Sequence, residues 1–285
     1  MKRASKKDIE RVRLITGREK KLEKISRIYN DTELDAIARG GFVPTEVDRK
    51  VIDFSGSSVR FLVCSDTHIG GKHDRRKWID AALREGKREK CDILLHVGDL
   101  ADGMGGGKGG YVQDLRVIGV DAQITEAADF FSEWKNPAYI VSGNHDLWAW
   151  KSEGIDIVEH FCTRTGWHYL GQGQGVLKTK GSVIELFHGE DSASAYVYSY
   201  RIQQITRAIT GGYKPNILIT GHDHKSLYVY TRMIHCLGAG ALSSRSRFLQ
   251  QKRTEHHSGF WISTVYFEKR GGVSKITNTW YPFYG

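Results

Sequence analysis

The chain has 285 residues, 40% apolar and 26% charged, with a net charge of +9. That length suits one substantial domain with a small appendage, able to bury a core without disulfide staples. The composition excludes collagen, coiled coil and wholesale disorder. No run of about 18 apolar residues predicts a membrane span. The start, MKRASKKDIERVR, is charged throughout, so no secretory signal is expected. Cys64, Cys91, Cys162 and Cys236 are widely spaced and read as buried free thiols in a reducing, cytoplasmic setting.

The charge is uneven. Residues 1–30 hold eleven Lys or Arg against four Asp or Glu, so seven of the nine net positive charges lie there. The spacing of Ile9, Val12, Ile15, Leu22, Ile25 and Tyr29 predicts a helix over 6–29. The turn Asn30-Asp31-Thr32 then opens a second helix over 33–39, closed by Gly40-Gly41. Residues 1–50 are therefore expected to form a basic helical extension. It is either a helix-turn-helix-like arm drawn to nucleic-acid phosphates or an oligomerisation element packing on another subunit. A solvated helix with no partner fits the charge equally well. Residues 42–57, with Pro44 and a Ser/Gly stretch, read as a linker.

From Val59 onward, strand-like apolar runs alternate with amphipathic segments. The runs are 59–64, 92–97, 138–142, 183–187 and 216–220, followed by shorter ones at 226–231, 233–237, 260–267 and 273–281. Helices are expected near 74–89, 124–135, 151–164 and 194–210. Glycine-rich text at 103–110 and 171–175 reads as low complexity. The alternation argues for an α/β architecture over 58–285.

Five of the runs are followed at once by residues able to bind a metal. These are Asp66 and His68, Asp99 and Asp102, Asn144-His145-Asp146, His188, and His222 with His224. Sites in open α/β sheets form at the carboxyl ends of strands, so five such loops are expected to meet in one pocket. Carboxylate, imidazole and amide donors together suit first-row divalent metals better than calcium, and the absence of thiolates argues against a structural zinc cage. The recurring Gly98, Gly143, Gly189 and Gly221 fit sharp turns and close backbone approach. The remaining seven histidines, His73 and His256 among them, carry no metal role in this reading.

In this order, D-x-H, G-D-x-x-D, G-N-H-D, H-G and G-H-x-H resemble the calcineurin-like metallophosphoesterase superfamily over roughly residues 59–240. The resemblance implies a four-layer αββα sandwich with two metals between the strand ends. Asp66, His68, Asp99 and His224 would bind one metal; Asp99, Asn144, His188 and His222 would bind the other, with Asp99 as the bridge. Manganese is the foremost expectation, with iron, zinc, nickel, cobalt and magnesium as alternatives. Paired cations about 3.5–4 Å apart neutralise a phosphate ester and activate a water for in-line attack. His145 is placed to protonate the leaving oxygen, oriented by Asp146 or Asp102. Lys108, in the glycine-rich loop, and Arg245 and Arg247 are candidate phosphate contacts.

Phosphoprotein phosphatases of this superfamily usually carry G-D-x-V-D-R-G and G-N-H-E. Here Gly103 follows Asp102 directly and the third motif ends in Asp146, so the forms look more like the nuclease and phosphodiesterase branches. The leading expectation is a phosphodiesterase acting on DNA, RNA or a nucleotide-like diester. A phosphomonoesterase, and a nucleic-acid-binding or assembly protein with a vestigial site, are the alternatives.

Overall fold

The structure is a computed structural model describing residues 49–51, 56–105, 112–179, 182–190, 197–209, 214–268 and 272–284. The helices expected over 6–29 and 33–39, and Lys108, lie outside the described residues. Twelve strands are described: β1 (Arg49–Val51), β2 (Ser58–Cys64), β3 (Ile93–Val97), β4 (Ala138–Ser142), β5 (His168–Gln172), β6 (Gln174–Thr179), β7 (Ser182–Phe187), β8 (Ile217–Thr220), β9 (Ser226–Thr231), β10 (Ile234–Ala239), β11 (Gly259–Phe267) and β12 (Val273–Pro282). The α-helices among the described residues are α1 (Arg76–Arg88), α2 (Val120–Phe130), α3 (Trp148–Glu153), α4 (Ile157–Thr165), α5 (Tyr200–Ala208) and α6 (Arg247–Gln251).

The strands form two mixed six-stranded sheets, in the orders β1-β6-β7-β8-β10-β9 and β12-β11-β2-β3-β4-β5. β2, β3, β4 and β5 run parallel, as do β7, β8 and β10. The period of two along a strand explains how one apolar run serves two cores. In β2, Val59, Phe61 and Val63 meet Leu177, Leu186, Ile219 and Leu237 of the other sheet. Leu62 and Cys64 of the same run face the cluster formed with Ile79 of α1, Ile124 of α2 and Phe161 of α4. A smaller cluster packs Ile202 of α5 on Leu218, Ile234 and Cys236. Strands carrying apolar residues on both faces read as unbroken hydrophobic runs, which is why 59–64, 92–97 and 138–142 stand out. All four cysteines are buried. No described helix is long and apolar enough to cross a membrane.

Several expectations need correction. Residues 49–51, inside the expected linker, form β1 and pair in parallel with β6. The helix expected near 124–135 is α2, four residues earlier, because it begins after Gly119 and ends at Phe131. The helix expected over 151–164 is two helices. Gly154 adopts a left-handed conformation and ends α3, while the Asp156 side chain accepts the amides of Val158 and Glu159 and starts α4. The glycine-rich 171–175 stretch, read as low complexity, carries the end of β5 and the start of β6. Of the helix expected over 194–210, the described part is α5.

Candidate metal centre

Loops leaving β2, β3, β4, β7 and β8 bring Asp66, His68, Asp99, Asn144, His188, His222 and His224 together. Histidine and carboxylate atoms of Asp66, His68 and His224 lie within 4.8 Å of one another, and so do those of Asp99, His188 and His222. Asp66, His68, Asp99 and His188 are buried. Five of the ligand candidates have left-handed backbones: Asp66 (φ 52°), His68 (46°), Asp99 (50°), His222 (74°) and His224 (51°). Such a conformation costs a non-glycine residue roughly 1–2 kcal/mol and persists only where surrounding structure enforces it. The strain turns each side chain back into the pocket as the chain leaves the sheet.

The turns leave no room for side chains. A Cβ at Gly98 (φ 84°) would sit 2.5 Å from His188 Nδ1, and one at Gly143 would run into the Asp99 carboxyl. These two glycines are therefore required for the Asp99–His188 approach.

Hydrogen bonds fix which nitrogen each histidine aims inward. The carbonyl of Val97 can only accept, so His188 Nδ1 donates to it at 2.6 Å. That leaves His188 Nε2 facing Asp99 Oδ2 at 3.2 Å and Asn144 Oδ1 at 3.3 Å. His68 Nδ1 donates to Asp102 Oδ1 at 3.1 Å, and its Nε2 faces inward. His256 Nε2 donates to the Ser243 carbonyl at 2.9 Å, so its Nδ1 accepts from His224 Nδ1 at 3.0 Å. His224 Nε2 then points at Asp66 Oδ1, 3.0 Å away, and at His68 Nε2, 3.4 Å away. The inward imidazole nitrogens thus converge on the Asp66 and Asp99 carboxylates, which also accept the Ser65 hydroxyl and the amides of His222 and His145. Buried carboxylates facing imidazole nitrogens call for positive charge between them, and this donor set fits divalent metal ions.

The electrostatics agree. Burial raises Asp66, but the charge and hydrogen bond of His224, aided by His188, outweigh it and hold the carboxyl below its usual range. Burial likewise opposes ionisation of Asp99, and the attraction of His188 and His145 overcomes it. Burial lowers His188, yet the Asp99 charge and hydrogen bond push it up to about 10. His222 is lowered to about 3, by burial first and by His188 next. The pair of Asp99 and His188 therefore holds a positive charge between them, whether supplied by a proton or by a metal.

His145 lines the same cavity, of about 630 Å³. Its amide donates to Asp99 Oδ1 at 2.9 Å. Its Nδ1 lies 3.2 Å from Asp102 Oδ1 and 3.0 Å from the Asp102 carbonyl, which accepts its proton. Trp148 lies against the ring, with centroids 3.9 Å apart. Burial lowers His145, but the charges of Asp99 and Asp102 and the Asp102 hydrogen bonds push it up to about 9. One carboxylate, Asp102, therefore orients both His68 and His145.

Asp146 is placed differently from the expectation that it polarises His145. It is fully buried and accepts the amides of Gly143 (2.8 Å), Ala101 (3.0 Å) and Leu100 (3.2 Å). It braces the β3 loop against the β4 loop, and its proximity to His145 in sequence does not become contact in space. Arg245 and Arg247 line the cavity. Two histidines given no role in the sequence belong here. His73 Nε2 lies 3.8 Å from Asp102 Oδ1, and His256 orients His224. Neither follows a strand in a recognisable motif, so the sequence carried no signal for them.

A two-sheet α/β protein with histidines and carboxylates gathered at its strand ends is the class that this fold and site define. The chain belongs to the calcineurin-like phosphoesterase family, which matches residues 59–226. No curated protein matches it significantly. Similar solved structures include a novel archaeal phosphodiesterase, with 13% identity, covering 78% of this chain and 100% of that one, and a TM-score of 0.46. Vps29 of Entamoeba histolytica complexed with zinc has 15% identity, covers 78% and 99%, and has a TM-score of 0.42. Yfce, a phosphoesterase from E. coli, has 13% identity, covers 77% and 98%, and has a TM-score of 0.41.

Proposed function

We propose that this chain is a metal-dependent phosphodiesterase that hydrolyses nucleic-acid or nucleotide-like diesters, with residues 58–285 forming a four-layer catalytic domain. The observation that carries the reading is the convergence of three oriented imidazoles on Asp66 and Asp99, opening onto a cavity lined by His145. Asp66, His68, Asp99 and His224 would hold one ion and Asp99, Asn144, His188 and His222 the other, with manganese the first metal to try. When bound, the ions supply Lewis acidity and an activated water at neutral pH.

The chain's own residues do the rest. Asp99, shared by both ligand groups, sets their separation. Asp102 accepts the Nδ1 protons of His68 and His145, which keeps His68 Nε2 available as a ligand and aims the other face of His145 at the cavity. A protonated His145 can donate to the oxygen that leaves. The motif forms favour a diester over the phosphoprotein branch, since no arginine follows Asp102. The basic N-terminal extension, residues 1–50, would add nucleic-acid affinity or bind a second subunit.

Purified protein loaded with manganese should hydrolyse bis-p-nitrophenyl phosphate and single- or double-stranded DNA faster than p-nitrophenyl phosphate. Rapid monoester cleavage with no diester cleavage would overturn the diester reading. Absence of any tightly bound metal would overturn the hydrolase itself.

A further inference from the structure

The cavity above the metal ligands gathers positive charge. One wall carries five cations: Lys72 and Arg75 after the β2 loop, and Arg245, Arg247 and Lys252 on and around α6. None of the five is ion-paired among the described residues. The two groups are distant in sequence but sewn together. Asp74 bridges Ser243, and the Ser244 amide and hydroxyl both donate to the His73 carbonyl, at 2.9 and 3.0 Å. His256, which orients His224, holds the Ser243 carbonyl on the other side. The cationic wall is thus fixed directly to the Asp66–His68–His224 half of the site.

Arg245 is more than a surface charge. It is half-buried, its Nη2 donates to the Leu249 carbonyl at 3.2 Å, and its Nε is buried with no partner. A buried guanidinium nitrogen without an acceptor is costly, and an anion in the cavity would remove that cost. Apolar rings interleave with the charges. Phe248 lines the cavity with Lys252 Nζ 4.3 Å above its ring, and Trp148 lines it against His145. A separate pocket beside Asn144 and His188 is lined by Gln172, Gln174, Phe187 and Glu190; there Lys151 Nζ is paired with Glu190 at 3.3 Å, and a Cβ at Gly189 would sit 2.8 Å from Arg201 Nη2.

We propose that the Lys72–Arg75 and Arg245–Lys252 wall is a second phosphate subsite, so that the substrate is a nucleotide chain bearing at least one phosphate beyond the scissile one, extended toward α6. This rests on the phosphodiesterase reading and specifies its substrate. A lone phosphate ester is satisfied at the metal ligands and leaves five cations without a counter-charge, although Lys72 and Arg75 donate to backbone carbonyls, and leaves the Arg245 Nε without an acceptor. Inorganic polyphosphate would use the charges but not Phe248 or Trp148. Alternating cations and rings suit a backbone that carries both phosphates and bases.

The test compares the full-length, metal-loaded protein with its Arg245→Ala/Arg247→Ala/Lys252→Ala variant on a short single-stranded oligonucleotide and on bis-p-nitrophenyl phosphate. Loss of kcat/KM on the oligonucleotide should exceed the loss on the aryl diester by at least about tenfold, borne mainly by KM. Lys87→Ala, a surface cation remote from the cavity, should leave both rates unchanged. In parallel, fluorescence anisotropy of the labelled oligonucleotide should give a log–log salt slope shallower by about 2 in the triple variant, since each phosphate contact on a single strand contributes about 0.7. Tripolyphosphate should compete less well than a dinucleotide carrying a 5′-phosphate. Equal losses on both substrates, an unchanged salt slope, or better competition by tripolyphosphate would each overturn the subsite. Failure of every ester to react, with the salt slope still shallower in the variant, would instead overturn the catalytic reading and keep the subsite.

Discussion

Two settings for a buried carboxylate stand side by side in this protein. At the strand ends, Asp66, Asp99 and Asp102 are buried among histidines and are held ionised. In the middle of β7, Glu185 is equally hidden but has one polar neighbour, the Gln174 amide at 2.5 Å, and its Oε2 has no partner. Burial, only partly offset by Gln174, pushes Glu185 up to about 7. Burial acts in the same direction on all four, and partners decide the outcome. The strand-end acids are assembled to hold positive charge, whereas Glu185 is an isolated cost inside the sheet.

The largest effect should come from Asp99→Ala. If Asp99 joins both ligand groups, diester hydrolysis falls below detection and metal content drops for both ions, as elemental analysis would register. Retention of full metal content would remove Asp99 from the bridging position. His145→Asn should lower kcat on the order of 10²–10⁴-fold while metal content stays, as expected of a proton donor. Metal loss there would mean that His145 belongs with the ligands.

His256→Ala should weaken one of the two metal-binding steps by about 10–100-fold in calorimetry, because His224 loses the acceptor that aims its Nε2. His256→Gln, whose amide can accept from His224 and donate to Ser243, should recover most of that loss. Equal behaviour of the two variants would reduce His256 to packing. Asp146→Ala strands three buried amides and should cost about 1–3 kcal/mol in denaturant unfolding. Metal content should stay, since Asp146 belongs to none of the ligand groups.

The last effect, confined to one pH range, tests the other side of the comparison. The folded pKa of Glu185 lies above its ordinary value, so the folded state binds the extra proton between about pH 4.5 and 7. Its contribution to stability is therefore present at low pH and lost as pH rises through 7. Glu185→Gln should stabilise the protein at pH 8, on the order of 3 kcal/mol, and make no difference near pH 4. A stabilisation independent of pH would show that charge is not the cause.

The strand-end acids and histidines were legible because each sits directly after an apolar run whose length and β-branched content mark a buried strand. Asp102 was legible as a site residue, although its double duty toward His68 and His145 was not. Asp146 misled because adjacency to His145 says nothing about direction once the backbone turns. His73 and His256 lie in ordinary polar text and acquire meaning only through the Asp74–Ser243 bridge and the Ser243 carbonyl. β5 and β6 were hidden because glycines broke the apolar alternation that marks strands.

By itself, the order of residues determined an α/β chain, its strand-end ligand candidates and the family they resemble, since those depend on local periodicity and on chemistry at fixed spacing. The tertiary structure alone decided which nitrogen each histidine presents, which acid serves which ring, and that Arg245 faces the same cavity as Lys72. Those are distances between segments far apart in the chain, set when two sheets close on one core, and no local pattern encodes them.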